Sequence, residues 1–157
     1  MQWSKVIDNP YFKNLPFKIE LNRYGKVEMT PASNKRGSLQ FHIGSLLERK
    51  HKNGEALSEC SVQTTDGVKV ADVVWCSKAF IKQYGYETPY SHAPELCIEI
   101  VSPSNSKEEM NNKARLYLQA GAEEVWIVWE NGIVDYYDKT GKLELSSYGI
   151  NVTIPIK

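Results

Sequence analysis

Two hydrophobic periods alternate along this chain. Residues 17–21 and 26–30 are short runs of alternating apolar and polar positions on either side of Asn22-Arg23-Tyr24-Gly25, which predicts a hairpin with glycine in its loop. Leu39, Ile43, Leu46 and Leu47 then recur at helical spacing and predict a helix over about residues 38–52, stopped by Gly54. Residues 55–63 and 68–76 read as two strands joined at Thr65-Asp66-Gly67, a second hairpin. A helical or irregular connection with a turn at Tyr84-Gly85-Tyr86 and a break at Pro89 leads to the densest apolar run, Leu96-Cys97-Ile98-Glu99-Ile100-Val101. Ser106-Lys107-Glu108-Glu109 fits a capping box ahead of a helix with the stripe Met110, Ala114, Tyr117 and Leu118, closed by Gly121. Residues 125–129 form a further core strand, and residues 133–137 with 143–148 a final hairpin. A strand, a helix and a strand between residues 95 and 129 make a crossover whose strands run parallel, whereas the hairpins are antiparallel. The expected fold is therefore a mixed α/β sandwich, with residues 1–16 an aromatic-rich arm.

Three charged residues break this pattern. Asp72 shares a strand face with Val68, Val70 and Val74, and Glu99 shares one with Cys97 and Val101. A carboxylate in such a row is desolvated, and a proton, a cation or a metal must compensate. Lys113 falls three residues after Met110 and four before Tyr117, on the inward side of its helix. A lone buried acid is often structural, capped by backbone amides. Two on neighbouring core strands with a lysine turned toward them point to a site.

Composition narrows the class. At 157 residues and 41% hydrophobic content the chain is expected to fold as one domain, residues 1–157. Within it an N-terminal arm and hairpin (residues 1–30) precede a core (31–157). Nineteen basic residues balance nineteen acidic ones, so contact with a polyanion must come from a local patch. The one concentrated basic run, Arg49-Lys50-His51-Lys52, reads either as a solvated helix end complementing the dipole or as a phosphate contact. Cys60, Cys76 and Cys97 lie in apolar strand contexts without metal-type spacing, which fits buried thiols in a reducing compartment. With no signal peptide and no apolar run of membrane-spanning length, the expected location is the cytoplasm, away from the membrane.

Asp72 and Glu99 can supply two hard oxygen ligands to one Mg²⁺ or Mn²⁺ that keeps several waters for a phosphate. Such an ion activates water and offsets charge on a phosphoryl oxygen, and Lys113 can orient the water or neutralise that oxygen. No zinc-type pair competes, since His42, His51 and His92 are scattered, and no glycine-rich phosphate loop is present.

At these residues the chain resembles the Uma-two family of restriction-endonuclease-like proteins, a branch of the PD-(D/E)XK nuclease superfamily. The resemblance covers nearly the whole chain. It is carried by residues 15–20 (LPFKIE), 67–75 (GVKVADVVW) and 94–106 (PELCIEIVSPSNS), and by Lys113 with Leu116-Tyr117 and residues 121–126 (GAEEVW). It implies a restriction-endonuclease-like mixed β-sheet core in the order α-β-β-β-α-β, flanked by helices, with the additional hairpins as extras. By the same resemblance Asp72 matches the motif aspartate, with Ala71 where proline is usual, and Glu99 matches the second acid. Val101 stands where the superfamily lysine falls, and Lys113 looks like that lysine migrated to the helix. Arg36 stands where family members often carry histidine near the first helix start. Glu95, on the Glu99 face at the strand entrance, and Gln40 and Glu59 are candidate accessory groups.

Two functions follow. One is an Mg²⁺-dependent (or Mn²⁺-dependent) endonuclease that hydrolyses nucleic-acid phosphodiesters, with DNA the expected polymer, through Asp72, Glu99 and Lys113, the first two holding the metal. A homodimer would suit the cutting of two strands. The alternative is a non-catalytic nucleic-acid-binding or assembly module that retains a degenerate nuclease site, and the balanced charge leans that way. A hydrolase of a smaller phosphodiester is the third option.

Overall fold

The computed structural model describes residues 1–150. After a short helix α1 (Trp3–Asp8) and a 3-10 turn, the chain forms β1 (Phe17–Leu21), β2 (Val27–Pro31), α2 (Asn34–Lys50), β3 (Gly54–Thr64) and β4 (Gly67–Ser77). It continues as α3 (Lys78–Tyr84), β5 (Leu96–Ile100), α4 (Lys107–Gln119), β6 (Glu124–Val128), β7 (Val134–Asp138) and β8 (Gly141–Leu143). This is the expected core order with extra hairpins. The strands form one eight-stranded sheet, antiparallel except for the parallel pair β5–β6 that the crossover through α4 requires.

The long strand β4 governs the topology. One edge pairs with β3 from Gly54↔Ser77 to Thr64↔Gly67. A strand has only two edges, so β1 and β5 must share the other. β1 pairs at Leu21↔Val68 and β5 at Val73↔Ile98, Val74↔Cys97 and Trp75↔Leu96. Residues 69–72 of β4 lie in the fork between them. Gly67, with φ +78°, holds the fork's near end, because a side chain there would strike the backbone of Leu21 and Asn22.

Helices cover both faces. Met110, Ala114 and Tyr117 of α4 pack with Val74, Cys97, Val101, Val125 and Ile127. Ile43 and Leu47 of α2 pack on the opposite face with Val73, Trp75, Leu96, Ile98 and Trp126. Each fully buried side chain of this kind contributes about 1.5–3 kcal/mol.

The structure corrects three boundaries. Helix α2 begins at Asn34, not near residue 38, because Ser33 Oγ accepts from Arg36 N–H at 3.1 Å and caps a polar first turn that has no apolar period. Gly54 does not stop that helix. It opens β3, where a Cβ would collide with the Cys76 carbonyl and the Trp75 ring. The final hairpin has a second arm of only three residues, Gly141–Leu143. Beyond it Ser146 and Ser147 turn inward to Glu124, and these side-chain bonds compete with a ladder. The predicted capping box is half formed. Ser106 Oγ accepts from Glu109 N–H at 3.1 Å, while the Glu109 carboxylate takes the Asn105 amide instead.

Candidate functional site

The register places Asp72 and Glu99 directly across from each other, one rung past the last paired residues Val73↔Ile98. Like charges so placed repel, and both are shut away from water, at 0% and 1% exposure. The ladder opens at this rung, and Ile100 N–H donates to Asp72 Oδ2 at 2.7 Å. From α4 above, the Tyr117 hydroxyl donates to Glu99 Oε1 at 2.6 Å. Burial, and then the Glu99 and Glu20 carboxylates, push the Tyr117 phenol well above its usual range, so it remains a donor. Each acid thus commits one oxygen to the fold. The remaining pair, Asp72 Oδ1 and Glu99 Oε2, converge on a single point.

The ammonium of Lys18 sits at that point, 2.8 Å from Glu99 Oε2 and 3.3 Å from Asp72 Oδ1. Burial works against its charge, but Glu99, Asp72 and Glu20 outweigh burial and hold its pKa above the ordinary lysine range. Lys113 reaches the same cluster from α4. Its Nζ lies 3.6 Å from Glu99 Oε1 and donates to both oxygens of Glu20, at 2.8 and 2.9 Å. Glu20 Oε2 also accepts from Val70 N–H at 2.7 Å, replacing a backbone rung in the fork where β1 leaves β4. Arg36, at the start of α2, brings its Nε to 3.7 Å from Asp72 Oδ1. Three carboxylates therefore face three cations in a dry wedge, an arrangement that balances its own charge.

Asp72, Glu99 and Lys113, predicted from strand and helix periodicity, are brought together. Over residues 10–155 the chain matches the family model Uma2, described as "Putative restriction endonuclease". The chain belongs to the Uma2 family. A similar solved structure is a crystal structure described as "a putative nuclease belonging to DUF820 from Anabaena variabilis ATCC 29413", with a TM-score of 0.71 and 18% identity, covering 88% of this chain and 87% of that one. At that identity the likeness establishes the fold. No curated protein matches.

The accessory candidates of this Uma2 chain divide. Gln40 Nε2 donates to the Asp72 backbone oxygen at 3.2 Å and to Glu59 Oε1 at 2.5 Å. The β3–β4 register skips this rung, passing from Ser58↔Val73 to Cys60↔Ala71. Glu59 holds φ +52° there, a left-handed backbone that side chains disfavour, so Gln40 bridges a strained gap directly behind Asp72. Glu95 does other work, accepting from Ser77 N–H at 3.0 Å and tying the end of β4 to the entrance of β5. The basic run lies at the far end of α2, about 20 Å along the axis from Arg36 at 1.5 Å per residue. Within it His51 bonds the Tyr148 carbonyl at 2.6 Å and packs against the Trp75 and Tyr148 rings.

Pattern reading missed Lys18, Glu20 and Arg36 as members of the cluster. Lys18 and Glu20 alternate with Phe17, Ile19 and Leu21, which reads as the wet face of an edge hairpin. Their signal was the motif at residues 15–20, which carried the resemblance without a role attached.

The described residues contain no group of three or more His, Cys, Asp or Glu that could cage a metal, and no helix long and apolar enough to cross a membrane. A hard octahedral ion that keeps most of its waters needs only one or two carboxylates. Asp72 Oδ1 and Glu99 Oε2, already facing one shared cation, fit that demand. The chemistry fits Mg²⁺ or Mn²⁺ and excludes a soft-metal site built from these donors.

Proposed function

We propose that this protein is a divalent-metal-dependent endonuclease that hydrolyses phosphodiester bonds of nucleic acid, with DNA as the expected polymer. The observation that carries the reading is the meeting of Asp72 Oδ1 and Glu99 Oε2 on a single cation position, held by the Lys18 ammonium, with the Lys113 ammonium beside Glu99. Asp72 and Glu99 would hold the ion. When bound, Mg²⁺ or Mn²⁺ activates water and offsets charge on a phosphoryl oxygen. The chain's own groups prepare the site for that chemistry. Ile100 N–H and Tyr117 OH fix the two acids so that little reorganisation is needed. Glu20 holds Lys113 in place, from where its ammonium can orient the attacking water or neutralise the phosphoryl oxygen. Arg36 supplies a further cation beside Asp72 and also lines a cleft with Ser33, Lys35, Leu39, Ile100 and Ser102. A homodimer, setting two such sites on one duplex, belongs to the same reading.

The test is cleavage of supercoiled plasmid and of single-stranded DNA and RNA with Mg²⁺, with Mn²⁺ and with chelator. Activity is expected only with metal, and it should vanish in Asp72→Asn and Lys113→Met variants that retain native circular dichroism. A folded, metal-supplied protein that retains DNA on a gel without cutting it would support the rival module. Burial and neutralisation of all three acids favour that second reading.

A further inference from the structure

The occupant of the cation position is itself informative. Lys18 is 5% exposed and bonds the very oxygens, Asp72 Oδ1 and Glu99 Oε2, that no backbone or tyrosine donor claims. It arrives from β1, which pairs with β4 only at Leu21↔Val68, three residues further along the strand. Its other flank pairs with Thr30 of the edge strand β2. A lysine is a compact charge on a flexible four-carbon stem, well suited to leaving. Lys113 gives its two bonds to Glu20 instead and lies 3.6 Å from Glu99 Oε1, outside the cation position.

We propose that Lys18 is a resident cation in the seat of the divalent metal, and that the ion enters only by displacing the Lys18 ammonium from Asp72 and Glu99. The inference rests on the nuclease reading and deepens it. In the absence of nucleic acid the two acids are already neutralised, so metal binding is weak. A substrate phosphate changes the balance, because it offers the metal an additional oxygen and the expelled ammonium a new anion. Metal and nucleic acid then bind cooperatively, each strengthening the other by the same factor. Lys18 thereby keeps the site shut until a phosphodiester is present.

The experiment is Mn²⁺ titration of metal-free protein, with free ion counted by electron paramagnetic resonance and thermal midpoints recorded alongside. Lys18→Met keeps the stem and removes the charge. It should bind Mn²⁺ more tightly than the parent by about tenfold or more, and should show the larger Mn²⁺-induced rise in melting temperature. Lys113→Met should change affinity less, and Asp72→Asn added to Lys18→Met should abolish binding. Lys18→Gln serves if the Met variant does not fold. Equal or weaker Mn²⁺ binding by a folded Lys18 variant, beside a parent that does bind, overturns the displacement and leaves the nuclease reading standing. Failure of both folded proteins to bind Mn²⁺, with and without a non-cleavable oligonucleotide, overturns both.

Discussion

The pair formed by Glu20 and Lys113 can be broken from either side. Glu20→Gln keeps shape and leaves an acceptor for Val70 N–H, but removes the charge that receives two bonds from Lys113. Among the described residues the stranded ammonium then keeps one carboxylate partner, Glu99, at 3.6 Å. Lys113→Met does the reverse and leaves Glu20 a buried anion at 5% exposure. Breaking a buried ion pair by deleting one partner costs about 3–5 kcal/mol. At about 2–4 °C per kcal/mol for a chain of this size, either change should lower Tm by about 6–20 °C. Total stability of about 5–15 kcal/mol leaves most of that range foldable. The double variant removes both charges, so its cost should fall short of the sum of the single ones by about 2 kcal/mol or more. Urea unfolding followed by fluorescence of the four tryptophans supplies all three values. Additivity within about 0.5 kcal/mol would refute the reasoning, because independent residues give that result.

Two further outcomes concern the scaffold. Partial burial raises the Asp66 carboxyl, but hydrogen bonds from Arg23 and the nearby Lys69 outweigh it and hold the pKa below the ordinary 3.8. Asp66 therefore contributes stability above that value and loses it as pH falls through the lower folded value; the urea midpoint of Asp66→Asn should approach the parent's in that acid window, and a constant gap would refute the clamp. Burial raises all three thiols, with Cys76 pushed up to about 12, so none should react with a disulfide reagent at about pH 8 until urea unfolds the chain. A thiol titrating at once in native protein would contradict the packing between α4 and the sheet.

What the sequence disclosed, and what it hid, follows from how each charge is carried. Asp72 and Glu99 stood out because they sit in runs whose other members are apolar, and the odd residue in a buried row is conspicuous. Lys113 stood out by helical phase. Lys18 and Glu20 did not, because alternation in a terminal hairpin is what a half-solvated strand also shows, and a short pattern cannot tell a wet face from a face turned into a fork. That fork depends on β1 and β5 sharing one edge of β4, and a pairing as distant in the chain as Leu21 with Val68 leaves no local trace. Arg36 was hidden for a simpler reason, since the polar first turn of α2 lies outside any apolar period. Asp72, Glu99 and Lys113 were therefore legible, whereas Glu20 and the two further cations of the cluster, Lys18 and Arg36, were not. That asymmetry has a physical root. A buried carboxylate is costly and interrupts its own strand, whereas a lysine can lie along a surface and deliver its charge from several ångströms away. Acids opposite each other on a core sheet should accordingly prompt a search for their counter-ions among the chain's least informative segments, the terminal hairpins and first helical turns.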